Sequence, residues 1–255
     1  MTRNIYEVLG LLGVRGRKIN TTFSPDLDEF NLDDDLGRAV LTRTTDPVSD
    51  TKPGWTGGHF RNGDKEARVY KRAGTGGDYH YYGWWIDRDN DDGGYSLAFF
   101  ADSTAVAEEW SSQDVSVITE TATYAGGATG LYAIYSTVPK AHESGDFTAD
   151  VMLEANFDTD RVSGDITNFM VDGRKKSWSV SMQENEDFRN NRHYLGQAVW
   201  EIDGTQPNNA DRDASEYAIG FPFIGTDGVP SIAGGVFDAR NGNARMYGSF
   251  GAIKQ

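Results

Sequence analysis

None of the 255 residues is a cysteine. Disulfides, thiolate nucleophiles, zinc–sulfur centres and lipid-modified cysteines are therefore excluded. The compartment stays open, because cytosolic proteins and secreted proteins without staples can both lack the residue. Long apolar runs are missing as well, so no stretch reads as a membrane-spanning helix. Segment 5–14 is apolar but is broken by Glu7, and no small-residue cleavage site comes after it, which makes a poor signal peptide. Basic charge is scarce. Lys and Arg number 24 against 39 Asp and Glu, for a net charge of −15. That balance argues against a nucleic-acid surface and against docking on anionic lipid. It leaves solubility, cation binding or a basic protein partner. The four histidines, His59, His80, His142 and His193, show no ligand spacing. A serine nucleophile elbow, a phosphate-cradling glycine loop and a dinucleotide fingerprint are all lacking.

Aromatics make up 12% of the chain and glycine numbers 30. Few aliphatics with many aromatics and glycines suit an all-β protein better than a helical bundle. The C-terminal half is the clearer part. Phe147, Ala149, Val151, Leu153, Ala155 and Phe157 alternate with polar or exposed-type residues over eleven positions, the period of a strand with one apolar face. With further strands expected at 119–126, 128–135, 162–169, 178–183, 198–202, 217–224, 232–239 and 245–253, the total is about eight. Laid flat, such strands would leave two open edges and an uncovered apolar face, whereas closure removes both. The expectation is all-β: an eight-stranded antiparallel up-and-down β-barrel at 119–255, preceded by a strand-rich, handle-like region at 1–118.

Within that region, 67–71, 79–86 and 95–101 read as strands of a small antiparallel sheet, the last two joined as a hairpin through an Asp/Gly turn. Segment 104–111 reads as one or two helical turns. Residues 1–58 are poorly legible: 23–35 is acidic and loop-like, and Pro47, Pro53, Gly54, Gly57 and Gly58 break up the stretch 44–58.

Several phrases of the barrel half share an order with a known family. They are Tyr124, Gly126, Ala128, Gly130 and Tyr132 at alternate positions; the 147–157 strand; Val162-Ser163-Gly164 with Ile166; Pro230, Ile232-Ala233-Gly234, Phe237 and Ala239; and Gly248 with Phe250-Gly251-Ala252. This order resembles the β-barrel domain of the transferrin-binding protein B family of bacterial surface lipoproteins and related solute-binding proteins, over roughly 119–255. The resemblance implies a non-enzymatic scaffold whose loops meet a protein or small-solute partner, without a cofactor, at the cell surface or outer membrane or in secreted form. It transfers no binding residue. The sequence shows no lipobox cysteine and one barrel, so a surface location is implied by the resemblance alone; transferrin itself is not implied, because the loops that would carry it are not recognisable.

Candidate sites are few. Tyr79, His80, Tyr82 and Trp84 form an aromatic run that suits iron or haem ligation, an exposed recognition patch, or plain packing of a half-buried sheet. Asp87, Asp89 and Asp91 are spaced to wrap a hard cation, but the sixth and twelfth loop positions hold Asp92 and Ala98 where an EF-hand needs Gly and Glu; a solvated hairpin loop is the plainer reading. Glu201-Ile202-Asp203 has the spacing of a glycosidase strand without its second glutamate, so no catalytic residue is assigned. The segments 87–94, 137–145, 172–176, 184–194 and 205–215 are the candidate binding loops. Two other classes remain: a structural barrel module of a larger surface adhesin, and a degenerate carbohydrate-binding or carbohydrate-active domain.

Overall fold

The computed structural model describes residues 4–5, 19–23, 29–34, 37–44, 54–73, 79–87, 96–103, 118–135, 143–190, 193–224 and 228–255. The chain divides into two compact units, Met1–Thr104 and Ala105–Gln255.

In the first unit the strands succeed one another as an antiparallel meander. They are β1 (Asn4–Ile5), β2 (Ile19–Phe23), β3 (Glu29–Asp34), β4 (Gly37–Arg43), β5 (Thr56–Asn62), β6 (Lys65–Ala73), β7 (Tyr79–Asp87) and β8 (Ser96–Ser103). β7 pairs with β8 from His80 to Asp87, the hairpin expected from the sequence. One expectation is corrected. Segment 23–35 contains β3, a strand paired on both sides, rather than only an acidic loop. Phe30 and Leu32 alternate there with Glu29, Asn31 and Asp33. The ladder satisfies the backbone whatever charge the side chains carry. Segment 104–111 lies outside the described residues.

The second unit holds β9 (Thr121–Ile134), β10 (Glu143–Asn156), β11 (Arg161–Val171), β12 (Arg174–Lys175), β13 (Trp178–Asn190), β14 (His193–Ile202), the short helix α1 (Asn209–Asp213), β15 (Glu216–Ile224), β16 (Pro230–Asn241) and β17 (Ala244–Lys254). The order round the wall is β10-β9-β17-β16-β15-β14-β13-β11. A β10–β11 ladder closes the ring, and β12 adds two residues beside β11. This is the closed eight-stranded antiparallel barrel expected from the sequence. The alternation in β10 becomes inside and outside: Phe147, Ala149, Val151, Leu153 and Ala155 are buried in the core, while Met152 and Glu154 are exposed. Turns obey local chemistry. Asp172-Gly173 and Asp203-Gly204 both have two successive positive φ angles, the geometry of a two-residue turn whose twist matches the flanking strands.

A second correction concerns the opening strand. Segments 119–126 and 128–135 are not two strands but one, β9, which runs through Gly126 and Gly127 without a break. The glycines look like a turn in the sequence, yet they serve close approach. β9 pairs with the last strand, β17, from Tyr124 to Ile134, with Gly130 opposite Gly248 and Gly127 opposite Gly251. A Cβ at Gly130 would lie 2.6 Å from the Phe147 ring and closer still to the Tyr247 carbonyl. Bare backbone at this seam lets large rings fill the lumen beside it.

The lumen is filled. Tyr124, Phe147, Phe169, Trp178, Trp200, Tyr217, Phe237 and Phe250 meet there with smaller apolar side chains from every long strand. Trp178 meets Trp200 edge to face at 5.5 Å, and Phe147 tilts on Phe169 at 5.1 Å. Each fully buried large side chain contributes about 2 kcal/mol of transfer free energy. Two tyrosines also cross the interior to main-chain carbonyls: the Tyr124 hydroxyl donates to Pro230 O at 2.8 Å and the Tyr217 hydroxyl to Val162 O at 3.0 Å.

Candidate functional site

The aromatic run on β7 is placed by strand alternation. His80, Tyr82 and Trp84 share one face of the sheet, while Tyr81 and Trp85 share the other. All five are buried, and His80 and Trp84 are fully so. On the first face Tyr82 stacks on Tyr70 of β6 at 5.2 Å, and Trp55 stands edge-on to Tyr82 at 4.9 Å and to His80 at 5.6 Å. Gly57 of β5 lies under the Tyr70 ring, and the Arg43 guanidinium donates to the Gly57 carbonyl at 2.9 Å. These rings pack on one another and do not present an open aromatic patch.

His80 is unusual in this cluster. Neither ring nitrogen has a hydrogen-bond partner, and Trp55 Nε1 beside it has none. Burial pushes the imidazole down to about 3, so it is neutral at ordinary pH. A neutral imidazole is a competent metal ligand, but among the described residues no group of three His, Cys, Asp or Glu side chains gathers to hold a metal. Tyr79 and Asp87 are placed by their backbones at the two ends of β7. Asp89 and Asp91 lie outside the described residues.

The loops sort by barrel end. Hydrogen bonds tie several of the candidates together at one end. Tyr135 N donates to Asn243 O at 2.9 Å, Asn241 Nδ2 to Thr205 O at 2.8 Å, and Gly242 N to Asp211 Oδ2 at 2.7 Å. Glu143 accepts from the Tyr132 hydroxyl at 2.9 Å and from Lys176 Nζ at 2.5 Å, and Lys176 sits 5.2 Å over the Trp178 ring. The Lys176 hydrogen bond holds the Glu143 carboxyl below its ordinary value. Burial, and after it the bond to Glu143, pushes the Tyr132 hydroxyl up. Arg174 and Lys175 stand exposed at the same end.

Two of the expected loops are not open loops. Segment 184–194 is mostly strand, because β13 runs to Asn190 and β14 begins at His193, with a large bulge between Glu184 and Arg189. Polar residues suggested a loop, but the paired backbones of β13 and β14 form a ladder that does not depend on apolar alternation. Segment 205–215 contains α1, capped by Asn208, whose side chain accepts from Asp211 N. Five residues are too few to show a helical period in sequence. Residues 137–142 of segment 137–145, and 88–94 of segment 87–94, lie outside the described residues.

The glycosidase-like spacing dissolves in the structure. Glu201 is on β14 and accepts a hydrogen bond from Gln206, while Asp203 has left the strand for a left-handed turn with φ 50°. The two carboxylates do not form a pair on one strand face.

Sequence reasoning missed a charged cluster on the outward side of β15–β17. Asp238, between the core residues Phe237 and Ala239, points outward yet is only 2% exposed. Its Oδ2 accepts from Arg240 at 3.1 Å and from Arg245 at 3.0 Å, and Arg245 lies 4.6 Å over the Tyr247 ring. Burial, then the Asp238 charge, raises the Glu216 carboxyl above its ordinary value. The one signal in the sequence was that Asp238 and Arg240 share a parity on one strand.

No family model matches the chain, and no curated protein matches it. Among solved structures it resembles intact Ap-TbpB, with its N and C lobes, at 11% identity and a TM-score of 0.43; the match covers 94% of this chain and 52% of the other. It resembles the isotype 1 transferrin-binding protein B from serogroup B Neisseria meningitidis at 11% identity and a TM-score of 0.45, covering 93% and 52%. A DUF3598-family protein of unknown function from Nostoc punctiforme PCC 73102 gives 9% identity and a TM-score of 0.26, covering 94% and 88%. The likeness is distant and concerns fold only. The chain spans about half the length of the two transferrin-binding structures.

Proposed function

We propose that the chain is a non-enzymatic binding module of a bacterial surface or secreted protein, which meets a macromolecular or solute partner through loops of the barrel and of the preceding strand-rich region. In this reading 1–118 is the handle-like part and 119–255 the barrel. The observation that supports it best is the packed lumen. Rings from around the wall occupy the space a ligand would need, so recognition falls to the outer surface and the ends. One end offers a rigid platform: the hydrogen bonds among Tyr135, Asn243, Thr205, Asn241, Asp211 and Gly242 fix its segments against one another. Loops held by a rigid scaffold are the usual carriers of binding function. The surface location rests on the resemblance of the sequence phrases alone.

The experiment is capture from host serum on the immobilised full chain, run beside a glycan array. Retention of a defined serum protein, weakened by Arg174→Glu with Lys175→Glu and without loss of melting temperature, supports the proposal. Glycan binding with no protein captured would favour the carbohydrate reading. No capture of either kind leaves the structural-module reading, which the braced 205–215 segment favours.

A further inference from the structure

The barrel wall is not uniformly stitched. β9 and β17 pair without a break from Tyr124 to Ile134, and β16 pairs with β17 from Ile232 to Asn241. The β13–β14 hairpin is attached far more sparingly. β13 meets β11 only where Met182, Ser181 and Val180 face Gly164, Asp165 and Ile166. Among the described residues β14 meets β15 only where Tyr194, Leu195 and Gly196 face Ile219, Ala218 and Tyr217.

Beyond each short ladder a side chain takes the place of the missing strand neighbour. Continuing the β11–β13 register would set Glu184 opposite Val162, but that ladder stops at Gly164 and Met182, and Glu184 keeps only its pairing with Gly196 of β14 on the other side. The direction of the backbone there is fixed by the bond from Asp203 N to Ser177 O. Odd residues of this stretch turn their main-chain groups to β14, and even residues, Glu184 included, turn theirs to the β11 side. The Val162 carbonyl accepts from the Tyr217 hydroxyl, which comes from β15, beyond the hairpin. At the other seam β15 starts at Glu216, and the Trp200 carbonyl of β14 accepts from Asn241 Nδ2 at 3.0 Å. The segment filling that gap exchanges backbone bonds with the end of β14 at Thr205 and Ile202, and beyond that point it is anchored to β16 and the following turn, with Asp211 held by Gly242 N and Ser215 by Arg240 N.

We propose that the β13–β14 hairpin is a panel of the wall that opens as one unit while the other six long strands stay closed. The two short ladders, the two side-chain bonds to main-chain carbonyls and the bond from Ser181 Oγ to Asp165 Oδ1 at 2.7 Å are its fastenings. Trp200 lowers the resistance further, because its buried Nε1 has no hydrogen-bond partner and gains one from water on opening. Opening bares the main-chain edges of β11 and β15 at Ile166 and Tyr217. Segments with short ladders and few backbone bonds to neighbours form the low-stability end of a fold. The panel does not depend on the loop-based reading of function and stands even if those loops bind nothing.

Native-state hydrogen exchange on the full chain, resolved by peptide, tests this. Amides of β13 and β14 are expected to exchange together, at least tenfold faster than those of β9, β16 and β17. Tyr217→Phe and Asn241→Ala should each speed the panel several-fold and leave β9 and β17 unchanged. Tyr124→Phe, which removes a bond to Pro230 outside the panel, should not speed it. The proposal is overturned if wild-type β13 and β14 exchange no faster than β9. It is equally overturned if only the hairpin tip exchanges early, or if Tyr217→Phe speeds every strand alike.

Discussion

Replacing His80 with phenylalanine should change how the N-terminal unit responds to acid. The imidazole is fully buried and neither nitrogen is bonded. Its folded pKa is about 3 against an ordinary value of 6.5. A depressed folded value means that the unfolded chain takes up a proton that the folded chain refuses. The stability is therefore whole above pH 6.5 and declines as pH falls from there toward 3. The decline is about 1.4 kcal/mol for each pH unit once the unfolded imidazole is mostly charged, which gives about 2 kcal/mol at pH 5. The described groups nearest His80 supply no compensating charge. Its ladder partners are Arg72 and Ser103, and Trp55 stands edge-on to the ring at 5.6 Å. His80→Phe, with His80→Leu as a smaller control, removes the titrating group and keeps the site apolar. Urea unfolding monitored by tryptophan fluorescence, at half-unit steps from pH 7.5 to 4.5, gives the wild-type-minus-variant difference. The many carboxylates cancel in that difference, because the distant sites behave alike in both proteins. The gap should move by about 2 kcal/mol between pH 7 and pH 5 in favour of the variants. A difference that stays flat across that range would falsify the neutral, unpartnered imidazole.

The remaining predictions concern the barrel. Gly130→Ala should cost about 3 kcal/mol or more in thermal or urea unfolding, because its Cβ meets the Tyr247 carbonyl and the Phe147 ring. Gly63→Ala, at φ +60 with open space around it, should cost only about 1 kcal/mol; equal losses would refute the close-approach account. Tyr124→Phe should lower stability by about 1–3 kcal/mol by stranding the Pro230 carbonyl, and a neutral result would place water at that carbonyl. Asp238→Asn should destabilise by about 2 kcal/mol, as two half-exposed guanidiniums lose a buried carboxylate. Arg245→Gln added to it should then cost less than it does alone, a double-mutant cycle that fails if the two changes simply add.

The barrel was legible because one face of each long strand is apolar, and 147–157 announces this without ambiguity. The N-terminal unit was harder. Around β3 the alternation of Phe30 and Leu32 is outweighed by the acidic residues Glu29, Asp33, Asp34 and Asp35, and acidic stretches usually mark loops. In β9 the glycines at 126 and 127 removed the side chains by which a strand is recognised. What sequence could not show at all is the set of bonds that cross the lumen. Tyr217 and Val162 are 55 positions apart, and Tyr124 and Pro230 are 106 apart; only closure brings them together. The His80 cluster was found by composition, yet its burial depends on pairing with β6 and β8, which no local pattern reveals.

The pairing of β9 with β17 also sets an order of events during synthesis. The opening strand leaves the ribosome long before its second neighbour exists, because Lys254, opposite Tyr124, lies 130 positions further along the chain (254 − 124). Until then β9 carries one finished ladder, to β10, and one bare edge stripped of side chains at Gly126, Gly127 and Gly130. Such an edge is a template for any passing strand, and contacts this distant in sequence form slowly. The nascent barrel therefore spends most of its translation as an open, curling sheet, and its final eleven-residue strand, β17, turns that sheet into a closed body.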